Sequence, residues 1–255
     1  MKLAIKILHY LPKQNGKPDR SNWVKAIKFI LNDPRVTVYV DDSGTPYDGL
    51  NNLYNELEKE NPDQVLILHH DILPCFNLVP TVEKIINIVG DKPVTFYSNS
   101  KSTNQAISQN NHWLKVKIWY YSQAYTMSFS MMKNMIGWIN QNVGRDDRMS
   151  DDERMAMYFY FHKQYVYATA PSLVEHIGWN TTTVNYDRPL DGYLDNKEHR
   201  MSSKFIGIDF DPLQIDWKLG LDNPVISNDD WALENSDDLF QKLLKTDSKY
   251  KINST

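Results

Sequence analysis

The sequence predicts an α/β fold in which a mostly parallel sheet carries helices on both faces. Short apolar runs alternate with segments whose apolar residues recur every three or four positions, and polar or turn-forming residues follow each run. The strands predicted in the first hundred residues are 3–10, 36–40, 65–68 and 93–97. Ligands of such sheets bind at the carboxyl ends of the strands, so the residues after each run are the first candidates for function.

Helices are predicted between these strands and again in the second half. Ser21 can cap the first helix, and apolar residues within 50–57 and 79–89 indicate two more. Further helices are predicted at 128–142 and 151–162, with strands at 116–120 and 165–168. From Asn180 onward the sequence becomes polar. We therefore expect a core at residues 1–180 and an irregular extension at 181–255 that packs on or near the site, with a short helix at 239–244.

Composition narrows the classes of function. The 255 residues can bury a sizeable core, and the net charge of −4 argues against broad, charge-driven coating of nucleic acid. Cys75 is the only cysteine, so an internal disulfide is impossible and a reducing, cytoplasmic location is expected. The first apolar run is too short for a signal peptide, and no apolar run is long enough for a membrane span.

Potential metal ligands follow the third predicted strand, where the sequence reads His69-His70-Asp71. Asp71 is the better ligand for a divalent cation by charge, and a neighbouring histidine would shift the preference toward Mn²⁺. A solvent-exposed loop with two histidines is the alternative. His176 occurs much later, after an apolar segment, and could join such a site or be purely structural.

Acidic residues occur at two other predicted ends of elements. Asp41 and Asp42 follow the second strand, where acids commonly bind a ribose or a base edge, although Asp-Asp-Ser-Gly is also good turn chemistry. Asp151 and Asp152 open a predicted helix behind Ser150. They could serve as a general base, and we expect an acid there to stay ionised; ordinary capping of the helix is the alternative.

Glycine-rich phosphate loops of the dinucleotide-binding and P-loop types do not occur in the sequence. This counts against an ordinary dinucleotide oxidoreductase or an ATPase. Arg20, which follows the first strand, could bind a diphosphate or form a surface salt bridge.

These residues, in this order, resemble the GT-A class of glycosyltransferases and, within it, small glycosyltransferases of bacteriophages. The resemblance runs from about Leu3 to Gly178 and implies a GT-A-like, Rossmann-like sheet. It rests on Arg20 after the first strand, the Asp41-Asp42 pair, the metal motif ending at Asp71, Gln123-Ala124-Tyr125, the Asp151-Asp152 pair and the segment from Pro171 to His176-Ile177-Gly178. The motif departs from the usual pattern, because His69-His70-Asp71 stands where D-x-D is common.

The resemblance implies a nucleotide-sugar donor, UDP-linked by default, and a divalent metal, Mn²⁺ or Mg²⁺. The metal ligands would be Asp71, His176 and His69. Asp152 or Asp151 would be the base of an inverting enzyme, although a retaining enzyme needs no such base. The donor would be bound by Arg20, Asp41, Asp42, His70 and Gln123.

The acceptor implied by the phage enzymes is a hydroxymethylated pyrimidine in DNA. Lys115, Lys117, Lys133 and the segment 145–148 could form a basic face for it, or could be solvated surface. A glycan- or lipopolysaccharide-modifying transferase, a nucleotidyltransferase and a non-catalytic sugar- or nucleic-acid-binding module are the alternatives. The donor sugar and the oligomeric state stay open.

Overall fold

The computed structural model describes residues 1–11, 19–119, 122–145, 149–177 and 201–227. Within them, eight strands form one mixed sheet and two more form a small ribbon. The strands are β1 (Leu3–Tyr10), β2 (Val36–Asp41), β3 (Gln64–His69), β4 (Ile72–Pro74), β5 (Val94–Thr95), β6 (Trp113–Val116), β7 (Ala124–Ser128), β8 (Val166–Thr169), β9 (Val174–His176) and β10 (Val225–Ile226). The helices are α1 (Ser21–Leu31), α2 (Pro46–Glu60), α3 (Leu78–Val89), α4 (Ser102–Ser108), α5 (Phe129–Asn142) and α6 (Asp151–Phe161).

The large sheet has the strand order β10-β6-β8-β5-β7-β3-β1-β2. Parallel pairing joins β1 to β2 and β3, β5 to β8, and β6 to β10. β7 runs antiparallel between β3 and β5, and β6 runs antiparallel to β8. Because β7 reverses direction between them, β3 and β5 point the same way. The predicted α/β class with a mostly parallel sheet is confirmed.

Helices cover both faces of the sheet, and two polar residues of β1 show this directly. The Lys6 ammonium is buried and pairs with Glu56, at 2.6 Å, and with Glu60, both on α2. His9 lies three residues later, so its side chain points to the opposite face, where its Nε2 is 3.2 Å from the Ser21 hydroxyl of α1. A strand covered on both faces is buried along most of its length, as β1 is from Leu3 to His9.

A small antiparallel ribbon, formed by β4 and β9, joins distant parts of the chain. Ile72 lies opposite His176, and the Ile177 amide donates to the Asp71 carbonyl at 2.8 Å. The sequence prediction contained neither strand, because each has only three residues and no room for a periodic pattern. The ribbon lies beside the carboxyl end of β3.

The chain after the ribbon returns to the sheet. Residues 201–227 add β10 to the edge, and Trp217 is fully buried, with its carbonyl accepting from the Trp113 indole at 2.7 Å. The Ser202 hydroxyl donates to Glu175, next to His176, at 2.7 Å. Most of the expected extension 181–255, including the expected helix at 239–244, lies outside the described residues.

Several elements differ from the sequence prediction. The strand expected at 116–120 is β6 at Trp113–Val116, and β7 and α4 were not predicted. The helices expected at 128–142 and 151–162 are confirmed as α5 and α6. Among the described residues, no helix has the length and apolar character needed to cross a bilayer.

Candidate active site

The candidate site lies at the carboxyl edge of β1, β2 and β3, the edge at which parallel sheets bind ligands. Tyr10 and Asp41 are neighbours at the ends of β1 and β2, and His69 is the last residue of β3, opposite Leu8 of β1. The Gln123 carbonyl accepts from the His69 amide at 2.8 Å, which brings the start of β7 to the same edge. The polar residues at this edge form two clusters.

The first cluster, called the Asp71 cluster, contains Arg20, His70, Asp71 and His176. The β4–β9 ribbon places the His176 Nε2 3.4 Å from Asp71 Oδ2. Arg20 precedes α1, and its Nη1 donates to the same Asp71 oxygen at 2.8 Å. Arg20 is only 4% exposed, so this is a largely buried ion pair. Residues distant in the sequence therefore meet at one carboxylate.

Electrostatics keep Asp71 ionised. Burial by itself would raise the pKa of its carboxyl, but the neighbouring His176 and Arg20 lower that pKa well below its usual range. His70 behaves in the opposite sense. Burial, the largest effect, lowers the pKa of His70 to about 3 despite the attraction of Asp71, so the ring is neutral.

The second cluster, called the Asp151 cluster, contains Tyr10, His69 and Asp151, and Asp152 follows Asp151 at the start of α6. The Tyr10 hydroxyl donates to Asp151 Oδ2 at 3.2 Å, and His69 Nε2 is 3.7 Å from the same oxygen. The two rings of Tyr10 and His69 meet edge to face. Burial and the charge of Asp151 raise the pKa of Tyr10 well above its usual value, so the phenol stays a hydrogen-bond donor.

Asp151 and Asp152 owe their position to the start of α6. Ser150 caps this helix, with its side chain accepting from the Glu153 amide while the Glu153 carboxylate accepts from the Ser150 amide, as in a capping box. The Asp152 carboxylate accepts from the Glu153 amide at 2.9 Å and from the Ser150 hydroxyl. Sequence reasoning thus identified both the cap and the acids behind it.

The protonation expected for Asp152 is corrected by its surroundings. Burial raises the pKa of its carboxyl most, Asp151 and Glu153 raise it further, and the result is about 7 despite the hydrogen bonds from Ser150 and Glu153. The sequence alone predicts that an acid at the helix N-terminus stays ionised. Burial, together with the two neighbouring carboxylates, outweighs that dipole and raises the pKa of Asp152.

Three buried polar atoms at this edge have no hydrogen-bond partner among the described residues: Asp71 Oδ1, His69 Nε2 and Gln123 Oε1. A buried polar atom without a partner is costly, and native proteins contain few of them. Their concentration beside one strand end, where sheets of this class bind ligands, indicates a site built to contact a polar molecule.

Asp41 and Asp42 have different surroundings. The Asp41 carboxylate is buried; it accepts from the Ser43 amide at 2.9 Å and packs so close to Gly49 that a Cβ there would lie 2.2 Å from Asp41 Oδ2. This geometry matches the turn interpretation of Asp41. Asp42 is exposed at the same edge of the sheet.

A metal ion fits this site only in part. The structure brings together Asp71 and His176, whereas His69 lies beside Asp151, and the described residues contain no group of three or more His, Cys, Asp or Glu side chains placed to hold one ion. Mg²⁺ and similar ions are commonly held by one or two carboxylates together with substrate phosphates. Asp71 Oδ1 and His176 could supply the protein share of such a complex.

The basic residues expected to bind an acceptor do not form one face at the site. Among the four that are described, Lys115 and Lys117 lie over the rings of Tyr165 and Tyr160, respectively. Lys133 pairs with Glu58, and Arg145 pairs with Asp48. Tyr165 precedes β8, which is parallel to β5 and therefore to β3, so Lys115 and Tyr165 lie at the amino edge of the sheet. The candidate site occupies the opposite edge. Residues 146–148 lie outside the described residues.

Sequence reasoning missed His9 and Tyr10. Both belong to an apolar run that reads as a core strand, and only the pairing of β1 with β3 shows that they face His70 and Asp151. The signal available in the sequence was a buried strand containing residues that ordinarily need a polar partner.

Comparison with known proteins finds only weak likenesses among solved structures. No protein-family model and no curated protein matches the chain. Among solved structures, A197 from STIV aligns with a TM-score of 0.43 and 15% identity over 69% of this chain and 85% of its own. A cytidylyltransferase from Leptospira borgpetersenii gives 0.33 and 11% over 56% and 72%. A glycosyltransferase involved in glycosylation of the major capsid of PBCV-1 gives 0.34 and 13% over 55% and 68%. At these values the likenesses carry no conclusion about fold or activity.

Proposed function

We propose that this protein is a glycosyltransferase that moves a sugar from a nucleotide diphosphate donor to an acceptor hydroxyl. The observation that carries the proposal is that the surroundings of two acids move their pKa values in opposite directions. Asp71 lies at the carboxyl edge of the sheet, and Asp152 lies at the start of α6, next to Asp151, whose carboxylate accepts from Tyr10. Carboxylates whose pKa values are separated by their environments commonly have separate roles in catalysis. A permanently charged acid and an acid poised near neutrality suit electrostatic and proton-transfer roles, respectively.

The Asp71 cluster is assigned to the donor diphosphate. Arg20 supplies a fixed positive charge, and its planar guanidinium suits phosphate oxygens. A Mn²⁺ or Mg²⁺ ion held by Asp71 and His176 would neutralise charge on the departing diphosphate when bound. The unpartnered Asp71 Oδ1 and Gln123 Oε1 are then contacts for the donor complex, with Asp42 at the outer side for the nucleoside.

The Asp151 cluster is assigned to the acceptor. The acceptor oxygen attacks the anomeric carbon, the bond from that carbon to the diphosphate breaks, and the hydroxyl proton passes to Asp152. Asp152 has a pKa of about 7, so it can accept a proton at neutral pH. Asp151 is held by Tyr10 and keeps Asp152 basic through its charge. This direct displacement inverts the anomeric configuration.

The acceptor class comes from the resemblance to phage enzymes rather than from a surface of the protein. A hydroxymethylated pyrimidine in DNA is the preferred acceptor, and a glycan or lipopolysaccharide hydroxyl is the alternative. The small basic surface around Lys115 lies at the other edge of the sheet and lends DNA no support.

Release of nucleoside diphosphate tests the proposal. Purified protein with Mn²⁺ is offered UDP-sugars together with hydroxymethylated DNA, unmodified DNA or lipopolysaccharide, and product is identified by mass. We expect acceptor-dependent release of UDP that is lost in Asp152→Asn. The matched control is Glu58→Gln, which changes an exposed acid paired with Lys133 and should retain full activity. Binding of nucleotide with no turnover on any acceptor would favour a binding module and contradict the assignment.

A further inference from the structure

His9 and His70 form a hydrogen-bond chain with Arg20 that runs beneath the Asp71 cluster. His70 Nε2 lies 3.1 Å from Arg20 Nη1, and His70 Nδ1 lies 3.0 Å from His9 Nδ1. His9 Nε2 lies 3.2 Å from the Ser21 hydroxyl, which donates to Asp19 at 2.6 Å. His9 and His70 are nearly or fully buried, so these contacts account for all four ring nitrogens.

The donors and acceptors of this hydrogen-bond chain can be assigned in only one direction, and Arg20 determines that direction. A guanidinium has only donors, so His70 Nε2 must be a bare acceptor. A neutral imidazole with a bare Nε2 carries its proton on Nδ1, so His70 donates to His9. His9 Nδ1 is then the acceptor, its proton is on Nε2, and it donates to Ser21. Each link has one donor and one acceptor, from Arg20 to Asp19.

We propose that His9 and His70 are positioning residues, neutral and each fixed in one tautomer, that hold Arg20 against Asp71. Arg20 Nη1 has two protons; one is directed to His70 and the other to Asp71 Oδ2 at 2.8 Å. The hydrogen-bond chain therefore fixes the plane of the Arg20 guanidinium relative to the Asp71 carboxylate. Both nitrogens of His70 are used inside the protein, so His70 contacts neither a donor nor a metal, contrary to the role expected from the sequence.

This inference rests on the proposed function only for its kinetic consequence, because the tautomers are a property of the ligand-free protein. They are measured by long-range ¹H–¹⁵N NMR on the full-length, ligand-free chain at neutral pH, with His9→Gln and His70→Gln identifying the signals. We expect His70 to be protonated at Nδ1 alone and His9 at Nε2 alone. Protonation of His70 at Nε2, or at both nitrogens, would overturn the proposal.

Coupling along the chain is tested by Arg20→Met, which removes the donor that sets the direction. We expect both histidines to lose their single tautomer together, although His9 has no hydrogen bond to Arg20 among those described. His112 is the internal control, because its Nδ1 contacts the Ala170 carbonyl at 3.2 Å, away from the site, and its signal should not move. An unchanged His9 in a folded variant would contradict the relay.

Two substitutions of His70 separate positioning from mere packing. In His70→Gln the amide oxygen takes the place of Nε2 and can accept from Arg20. In His70→Asn the amide reaches only the place of Nδ1 and leaves Arg20 without that acceptor. We expect the donor KM to rise about tenfold or more in His70→Asn and much less in His70→Gln, since one hydrogen bond to a charged group is lost. If both variants fold and raise the donor KM equally, the positioning role is contradicted. If the wild-type protein shows the expected tautomers but turns over no substrate, only the transferase proposal is contradicted.

Discussion

The two clusters at the carboxyl edge of the sheet use the same residue types in opposite ways. In the Asp71 cluster, a carboxylate meets Arg20 and His176, and the pKa of Asp71 falls well below its usual range. In the Asp151 cluster, carboxylates crowd one helix turn, and the pKa of Asp152 rises to about 7. Burial raises the pKa in both places, so the sign of the nearest charges decides the outcome. The comparison separates an acid that holds charge from an acid that can exchange a proton.

Asp71→Asn should have the largest effect, because it removes the charge that compensates Arg20. Removing one partner of a buried ion pair lowers the free energy of unfolding by about 3–5 kcal/mol. Turnover should fall by about a hundredfold or more, as it does when a single electrostatic contact in an active site is removed. Urea unfolding and UDP release measure the two effects. Glu58→Gln, at an exposed pair with Lys133, should leave the free energy of unfolding nearly unchanged. Similar losses in the two variants would remove the distinction between the Asp71 pair and a surface bridge.

Asp152→Asn should also reduce turnover strongly, by about 10²–10⁴-fold, as expected for loss of a general base. Its effect on stability should be the reverse of that of Asp71→Asn. The folded-state pKa of about 7 lies above the usual value of 3.8, so the contribution of this carboxyl to stability is fully present below about pH 3.8 and is lost as pH rises from there through 7. The variant should therefore melt higher than wild type at pH 8 and close to it at pH 4. A lower melting temperature at pH 8 would contradict the crowding of charges.

The pH dependence of turnover should also reflect the protonation of Asp152. Below about pH 7 the rate should fall tenfold per pH unit as Asp152 binds a proton, and above it the rate should level off. The residual activity of Asp152→Asn should lack this step. A profile that is flat from pH 5 to 8 in wild type would show that Asp152 is not the base.

Tyr10→Phe should have the smallest effect, because it removes one donor from Asp151 and keeps the ring. Hydrogen bonds to charged groups contribute about 1.5–3 kcal/mol, so a drop of roughly tenfold in kcat is expected, with little change in donor KM. The matched control is Tyr54→Phe, whose hydroxyl donates to the exposed Glu58 at 2.8 Å and lies on α2. If the control variant lost as much turnover, the assignment of Tyr10 to the site would fail.

The fold could be predicted largely from the sequence because its buried strands and amphipathic helices repeat a simple pattern. The predicted strands β1 to β3 and helices α5 and α6 agree with the structure to within a few residues. The strands that were not predicted are either short or antiparallel to their neighbours. β4 and β9 have three residues each, and β7 joins the sheet antiparallel after a connection that has no periodic pattern. Local periodicity in the sequence does not indicate which distant strands pair.

The candidate site was predictable only where a side chain follows a strand or opens a helix. Asp71 and Asp152 met that condition. His9 did not, because its polar partner, His70, comes from a neighbouring strand's end. The pKa of Asp152 also depends on burial, which the sequence does not provide. The prediction that an acid at a helix start stays ionised considered the dipole without the two neighbouring acids.

Nucleotide binding by the two Asn variants tests the central claim most directly. Thermal shift is measured for UDP, GDP, CDP, ADP and TDP, each with and without Mn²⁺, on wild type, Asp71→Asn and Asp152→Asn. A ligand at a hundredfold excess over its dissociation constant stabilises a protein by about 2.7 kcal/mol. The account predicts that one nucleotide stabilises wild type and Asp152→Asn alike and fails to stabilise Asp71→Asn. Equal stabilisation of all three proteins, or loss of binding in Asp152→Asn, would contradict the division of roles between the two carboxylates.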